Sequence, residues 1–374
     1  MATPQALITG NGDQRQTLIV VFLRGAADGL ALVPPIGDDN YYKARPRIGI
    51  PLKDAVKLDG FFGLHPNLAP LGPAFAEGEL AIIHAAGSED QTRSHFYAQD
   101  LMEHGGIAAG GWLGRFLRVR PAPSSGALAC VAVGKALPEC LLGAPTVTVM
   151  QSLDDFSLGS KAPGLQPEIE RLYAMETGQL GAAARDTFDA LLRIEAMRTA
   201  PYQPERGATY GTDEFSEGLR QLARLIKANV GLEAASIDVD GWDSHFTQGP
   251  QIDGLTKKLA QGLGAFRTDL GPRMATTTVV VLTEFGRRVR ENSAFGTDHG
   301  RGSAMFVLGG GVKGGRVIGP WQGLNDDLLE GPGDLPVINN YRDILAPVLT
   351  HHGAGENLGK IFPDFALNPL GLYA

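Results

Sequence analysis

Apolar positions along the chain fall into two kinds of run. Short apolar runs stand at 17–23 (TLIVVFL), 80–86 (LAIIHAA), 276–282 (TTTVVVL) and 305–308 (MFVL), and 234–239 (AASIDV) reads as a further strand. Runs of that length and composition predict strands buried on both faces. Between them lie longer segments with apolar residues three and four apart. Phe215, Leu219, Leu222 and Ile226 form one stripe over 213–230, and Gly231 stands where a C-cap belongs. Ile252, Leu255, Leu259, Leu263 and Phe266 form another. Ser94 opens a helical segment with Tyr97, Leu101 and His104 on one face. Residues 166–197 read as helical, and a last helix starts near Asn340. Residues 66–77 carry Leu68, Leu71 and Phe75 at helical spacing, although Pro70 and Pro73 oppose it. Strand, turn and helix in repetition predict an α/β three-layer sandwich with a mostly parallel central sheet. No internal repeat or linker interrupts the pattern, so the expectation is a single domain over 1–374 with long insertions.

Composition narrows the function classes. The chain has 374 residues, 33 basic and 41 acidic, for a formal net charge of −8. That balance excludes a general nucleic-acid surface, which needs a basic field. No apolar run reaches the ~18 residues of a membrane span. Residues 1–16 are polar and show no leader pattern, so the expected compartment is cytoplasmic as written, or periplasmic or secreted if a leader has been omitted. Cys130 and Cys140 read as core thiols, with one disulfide as the alternative; two cysteines ten apart make no thiolate metal site. Gly309, Gly311 and Gly314 match a dinucleotide-binding spacing, but the residues after them, Gly315 to Pro320, cannot open a helix.

In open α/β sheets, ligands bind beyond the carboxyl ends of the strands. Asp28, Ser94, His95, Asp243, His245 and Glu284 all come after expected strands, and Asp298-His299 sits in a glycine-bounded turn before another. Carboxylates crowded on one rim repel one another, and a divalent cation removes that penalty. Mixed carboxylate and imidazole donors suit Zn, Mn or Fe, whereas an all-oxygen set favours Mg or Ca. A metal also stabilises charge on a transferring phosphoryl or sulfuryl oxygen. Each residue has a plainer reading. Asp28 fits a turn, Ser94 an N-cap, His95 a structural hydrogen bond, and Glu284 an ion pair with Arg287 or Arg288. His65 is open between the two roles, and His84 reads as a core histidine. Arg24, Arg93, Arg287 and Arg301 are available either to grip an anionic substrate or to balance these carboxylates.

Six ordered motifs resemble one bacterial family, domain of unknown function fifteen-oh-one (DUF1501). They are Phe22-Leu23-Arg24-Gly25-Ala26-Ala27-Asp28-Gly29, Gly63-Leu64-His65-Pro66, Arg93-Ser94-His95-Phe96, Gly241-Trp242-Asp243-Ser244-His245, Glu284-Phe285-Gly286-Arg287 and Gly296-Thr297-Asp298-His299-Gly300. The family is grouped with the alkaline phosphatase and sulfatase superfamily. His65-Pro66-Asn67-Leu68-Ala69-Pro70-Leu71 through Glu77-Gly78 is similar to the sulfatase helix that precedes the nucleophile loop. The resemblance implies an alkaline-phosphatase-like fold. It implies Ser94 as nucleophile, with Thr92 the competitor, and Arg93 and His95 as its catalytic neighbours. It implies Asp28, Asp243, His245 and His299 as metal ligands, and Glu284 and Asp298 complete the expected metal set. The chain departs from the superfamily in three ways. Glu284-Phe285 stands where Asp-His is usual, Asp243 and His245 are two apart rather than four, and no Cys-x-Pro-x-Arg maturation motif is present.

The expected function is therefore a metal-dependent hydrolase of phosphate or sulfate esters, with an anionic small-molecule or glycan ester as partner. A phosphotransferase or mutase on the same site is one rival. A non-catalytic binding or scaffold protein that keeps the fold is the other, and Phe285 is the feature that favours it.

Overall fold

The computed structural model describes residues 16–120, 126–153, 165–198 and 201–373. The N-terminal stretch read for a leader lies outside these residues, apart from Gln16. The strands are β1 Thr17–Leu23, β2 Val56–Lys57, β3 Gly63–Leu64, β4 Leu80–Gly87, β5 Cys130–Val133, β6 Thr148–Met150, β7 Ala234–Val239, β8 Thr277–Leu282, β9 Ser303–Gly309, β10 Arg316–Ile318 and β11 Asn339–Asn340. The central sheet runs β10-β4-β9-β8-β1-β7-β5-β6, with β11 extending the pairing of β4, while β2 and β3 form a separate hairpin. β9 is antiparallel to both its neighbours, β4 and β8, and the other pairings in this sheet are parallel.

The unbroken apolar runs are explained by burial on both sides. In β1, Ile19, Val21 and Leu23 pack into one core with the helices Glu214–Lys227 and Gln248–Leu270. Leu18, Val20 and Phe22 face the opposite core, with the helices His95–His104, Trp112–Val119 and Tyr341–Leu349. β4, β8 and β9 divide their side chains in the same alternating way. The expected three-layer α/β arrangement is therefore what the side chains build, since a strand polar on one face could not serve two cores.

Two expected helices come out differently. Residues 66–77 form a 3-10 helix, Pro66–Leu71, and then a short α-helix, Gly72–Ala76. Pro70 has no N–H to donate and resists a continuous α-helix there. The stretch 166–197 divides into Leu165–Ala174 and Gln179–Arg198. The break ends at Gly178, a residue that weakens helix interiors. Cys130 and Cys140 are buried free thiols, as one of the two sequence readings has it. Among the described residues, no helix is long and apolar enough to cross a membrane.

The topology has one consequence for function. β1, β4, β7 and β8 end at the edge where β9 begins, so residues 24–29, 93–95, 240–245, 283–287 and 298–300 emerge on one rim.

Candidate metal centre

Two glycines let the rim loops close on one another. Gly25, at φ +111°, approaches the loop after β7 so closely that a Cβ would stand 2.6 Å from the Asp243 nitrogen. A Cβ on Gly296 would stand 2.2 Å from the His245 carbonyl oxygen. Any side chain there would force apart the loops that carry Asp243, His245 and His299. The Arg287 guanidinium, fully buried, then ties the three loops together. It donates to the carbonyls of Gly25, Ala26, Trp242 and Thr297, and to Asp243 Oδ1 at 2.5 Å. Trp242, with no exposure, anchors the turn that presents Asp243.

His299 is the hub of what this closure assembles. Its Nε2 lies 3.0 Å from His95 Nε2, 2.9 Å from His245 Nε2 and 3.2 Å from Asp243 Oδ1. His245 Nε2 is 3.1 Å from the same oxygen, and His95 Nε2 is 3.5 Å from Asp243 Oδ2. The opposite ring nitrogens face acceptors. His299 Nδ1 donates to the Arg93 carbonyl at 3.0 Å, and His95 Nδ1 to Glu284 Oε1 at 2.8 Å. His245 Nδ1 looks toward Asp298 Oδ1 at 3.6 Å. A carbonyl or carboxylate at Nδ1 demands the proton there, which leaves a lone pair on Nε2 of the neutral ring. The His95 and His299 lone pairs and the Asp243 carboxylate then face one small volume, and His245 stands against His299 and Asp243.

That arrangement is unstable as a purely protic cluster. One electron pair on His299 Nε2 can accept one hydrogen bond, yet two imidazoles crowd it. A cation held by His95, Asp243 and His299 would relieve that crowding, with His245 beside His299 and Asp243. For Zn–N distances of ~2.0–2.1 Å, tetrahedral donors lie roughly 3.3 Å apart, inside the range seen here. Nδ1–H bonded to a carbonyl or carboxylate is also the usual outer support of a metal-bound histidine. The donor set therefore fits a divalent transition metal. His95, Asp243 and His299 have their ligand atoms mutually within 4.8 Å.

Electrostatics separate the inner groups from their supports. The Asp243 carboxyl is raised by burial but lowered more by its hydrogen bond and charge contact with Arg287, ending at about 2. It is ionised at any working pH. Glu284 is raised by burial, and the hydrogen bonds from His95 and Gln99 overcome this and hold it low. That same bond to Glu284 raises His95. His299 is lowered, first by burial and then by the Arg287 charge.

The rim thus brings together Asp243, His245 and His299 from the expected metal set, and adds His95, which the sequence reading placed among catalytic residues. The other expected residues stand elsewhere around the cluster. Asp28 is buried away from the cluster as a core ion-pair partner. Its carboxylate accepts two bonds from Arg45 at 2.6 and 3.0 Å, one from Gln248 at 2.6 Å and one from the Leu30 N–H at 3.1 Å. No lone-pair direction remains for a metal. Glu284 is fully buried behind His95, and its two oxygens accept from His95, Gln99, the Gly25 N–H and Thr283. Both of its oxygens are thus engaged by protein donors. Asp298 stands on the far side of the His245 ring, contacting Arg288 and Asn292. The Arg93 guanidinium turns to the buried Asp334, with Nε 2.8 Å from its carboxylate, so only its main-chain carbonyl serves the site. Arg93 adopts a left-handed φ of 56° to do so.

Ser94 occupies the N-cap of the helix His95–His104, as the plainer reading has it, but its side chain makes no cap hydrogen bond. Asp213 and Asn340 do cap their helices. His65 resolves to the structural role, with Nδ1 accepting from the Asn67 N–H and Nε2 3.2 Å from Asp253. His84 is buried and hydrogen-bonded to the Val33 carbonyl and the Ala85 N–H. Sequence reasoning missed Gln99, Thr283 and Arg45. Gln99 carried a signal, since it lies four residues after His95 on one helix face. Arg45 carried none, because its partner comes from a different loop. A cleft of about 400 Å³ opens farther along the rim, between the ends of β5 and β7 and beside Asp238 and Asp240, and no residue of the imidazole cluster lines it.

The family model described as protein of unknown function (DUF1501) matches residues 90–355. No curated protein matches the chain by sequence. Among solved structures, the chain is similar to BT1596, a 2-O GAG sulfatase, at 10% identity and a TM-score of 0.37, covering 91% of this chain and 71% of that one. It is similar to Ps i-CgsB in complex with k-i-k-neocarrahexaose, at 10% identity and a TM-score of 0.36, covering 92% and 74%. A protein in the alkaline phosphatase superfamily from Vibrio parahaemolyticus is similar at 11% identity and a TM-score of 0.33, covering 91% and 67%. The chemistry of the site rests on its own side chains.

Proposed function

The chain belongs to the DUF1501 family, and from that premise we propose that it is a metal-dependent hydrolase of phosphate or sulfate esters on an alkaline-phosphatase-like fold. The observation that carries the reading is the convergence of His95, His245 and His299 Nε2 with the Asp243 carboxylate. A mixed imidazole and carboxylate donor set, His95, His299 and Asp243 with His245 adjoining, suits Zn, Mn or Fe better than Mg or Ca. The cluster accounts for one ion; Asp28, the expected ligand of another, is committed to Arg45. When bound, the cation supplies a Lewis acid for charge that builds on the ester oxygens.

The protein's own residues divide the remaining work. Glu284, the Arg93 carbonyl and Asp298 orient the three imidazoles. Phe285 stacks on His95 with ring centroids 5.0 Å apart and lies 5.1 Å from the His299 ring. Its apolar wall supports the cluster, which weakens Phe285 as an argument for a scaffold that has lost its site. Ser94 offers a half-exposed hydroxyl without a cap bond, one residue from a metal ligand and at a helix N-terminus that favours an anion. In the proposed reaction its oxygen bonds to phosphorus or sulfur in line as the bond to the alcohol oxygen breaks, the serine proton passes to the departing alcohol, and water then cleaves the seryl ester to release the inorganic anion and restore Ser94.

Elemental analysis of the purified protein tests the metal, with about one transition-metal ion per chain expected. Ser94→Ala should abolish turnover of aryl phosphates and sulfates and leave the metal content unchanged. Metal-free protein with no turnover on either ester class would favour a binding protein. Transfer to an acceptor without release of product in water alone would favour a transferase or mutase.

A further inference from the structure

The loop that carries Ser94 and His95 is latched from outside the metal centre. Glu330 and Asp334 close a tight turn, each donating its main-chain N–H to the other's carbonyl at 2.9 Å. The turn is tied to the chain on both sides of Asp298-His299. The Val289 N–H donates to the Gly333 carbonyl at 3.0 Å, and the Gly302 N–H to the Leu335 carbonyl at 2.8 Å. Two carboxylates of the turn then hold arginines. Glu330 pairs with Arg301, whose guanidinium also donates to the Ser88 and Asp90 carbonyls, each at 3.3 Å. Asp334 has no exposure, and its Oδ2 accepts from both Nε and Nη2 of Arg93. Its other oxygen, Oδ1, is buried without a hydrogen bond, and Arg288 Nε stands 4.0 Å from it. Among the described residues, Arg93 is thus the one side chain hydrogen-bonded to the Asp334 carboxylate.

The Arg93 backbone shows why a pin is needed. Its φ of 56° is left-handed, a conformation uphill for a residue with a Cβ, with Asn and Asp the usual exceptions. In that conformation the Arg93 carbonyl accepts from His299 Nδ1 at 3.0 Å. The bond keeps the ring proton on Nδ1 and fixes the direction of Nε2, the atom that would meet a metal. A backbone relaxed to negative φ turns the carbonyl away and frees the ring.

We infer that Asp334 is a positioning residue of the metal centre: by gripping the Arg93 guanidinium it holds the left-handed turn whose carbonyl orients His299. The inference rests on the metal-centre part of the reading above. It assigns a role to a loop that contributes no ligand, and the line of contacts runs from the Asp334 carboxylate through the Arg93 side chain and carbonyl to His299 Nδ1.

Arg93→Ala and Arg93→Asn distinguish this role from general stabilisation. Both remove the guanidinium, and both leave Asp334 without it, but asparagine accepts the left-handed φ far more readily than alanine. Zinc affinity of the full chain is measured by competition with a fluorescent chelator, and the visible spectrum of the cobalt(II) form reports ligand geometry. Losing the support of a metal-bound histidine costs about 10–100-fold in affinity. Arg93→Ala should therefore bind zinc at least about tenfold more weakly than wild type and show an altered cobalt spectrum. Arg93→Asn should recover most of the affinity and the wild-type spectrum. Asp334→Leu, which removes the acceptor, should match Arg93→Ala, and the two changes combined should cost no more than either alone. If a single Arg93 variant does not fold, alanine and asparagine are compared on an Asp334→Asn background, which leaves no carboxylate unpaired. Equal zinc affinity with alanine and asparagine at position 93, or wild-type affinity in Asp334→Leu, overturns the positioning role alone. Wild-type protein that binds no zinc overturns the metal centre, and the positioning role with it.

Discussion

Replacing Glu284 by glutamine separates a ligand from a support. The carboxylate is fully buried, and its Oε1 lies 2.8 Å from His95 Nδ1. Glutamine keeps the shape and leaves an oxygen for His95, Gln99 and the Gly25 N–H. Its amide nitrogen would face the Thr283 hydroxyl in place of Oε2. What disappears is the charge that makes the His95 ring a stronger base. Losing such a support costs 10–100-fold in metal affinity, or about 1.4–2.7 kcal/mol. The pH dependence has a definite sign. Glu284 raises the titration of His95, and the second proton of that imidazolium sits on Nε2, where the metal binds. Below the raised value, protons compete with metal in the wild type. In Glu284→Gln the competing proton is held less tightly, so the deficit is full at pH 8 and narrows at pH 6. Competition of the apo protein against a fluorescent zinc chelator at both pH values measures this, with His299→Ala as the reference for removal of a ligand. Metal binding lost as completely as in His299→Ala would refute the reasoning by making Glu284 a ligand. Unchanged affinity at pH 8 would refute it by making the His95–Glu284 bond irrelevant.

The corrected roles carry further expected outcomes. Asp28→Asn leaves the buried Arg45 guanidinium without its charge partner and should cost about 3–5 kcal/mol in urea unfolding, with metal content unchanged; loss of metal without loss of stability would restore Asp28 as a ligand. His84 is fully buried, and burial lowers it to about 4. Because the folded value lies below the unfolded one, its neutral form favours the fold above the unfolded pKa of ~6.5. That contribution is lost as pH falls through 6.5 toward 4 and amounts to about 2 kcal/mol between pH 7 and pH 5. Urea unfolding of wild type and His84→Gln at the two pH values checks this, and an equal acid-side loss in both proteins would exclude His84 as its source. Ser94→Ala, assayed for turnover and for metal together, distinguishes a nucleophile from a helix-end residue.

The fold was legible because its strands are buried on both faces. Such strands leave near-continuous apolar runs, and β1, β4 and β8 show them within a residue or so of their bounds. The amphipathic helix Glu214–Lys227 was equally plain, although it ends at an Ala228 C-cap and not at the expected Gly231. β5 and β6 were not, since four and three residues in a glycine-rich stretch carry too little pattern. The rim was legible for a related reason: residues just past parallel strands must emerge together, whatever the angles between their side chains.

What the sequence determined by itself is the set of chemical groups delivered to that rim, because chain order and strand direction settle which loops meet. Which of those groups face one another was decided only in three dimensions. Asp28 and Asp243 look alike in sequence, each coming in a glycine-containing turn after a strand. Asp28 meets Arg45 in the core, and Asp243 meets three imidazoles at the surface. His95 and Glu284 look like independent candidates, and contact makes one the support of the other. A side chain's role here depends on the partner that saturates it, and these partners lie from 17 to more than 200 residues away. No local pattern records them.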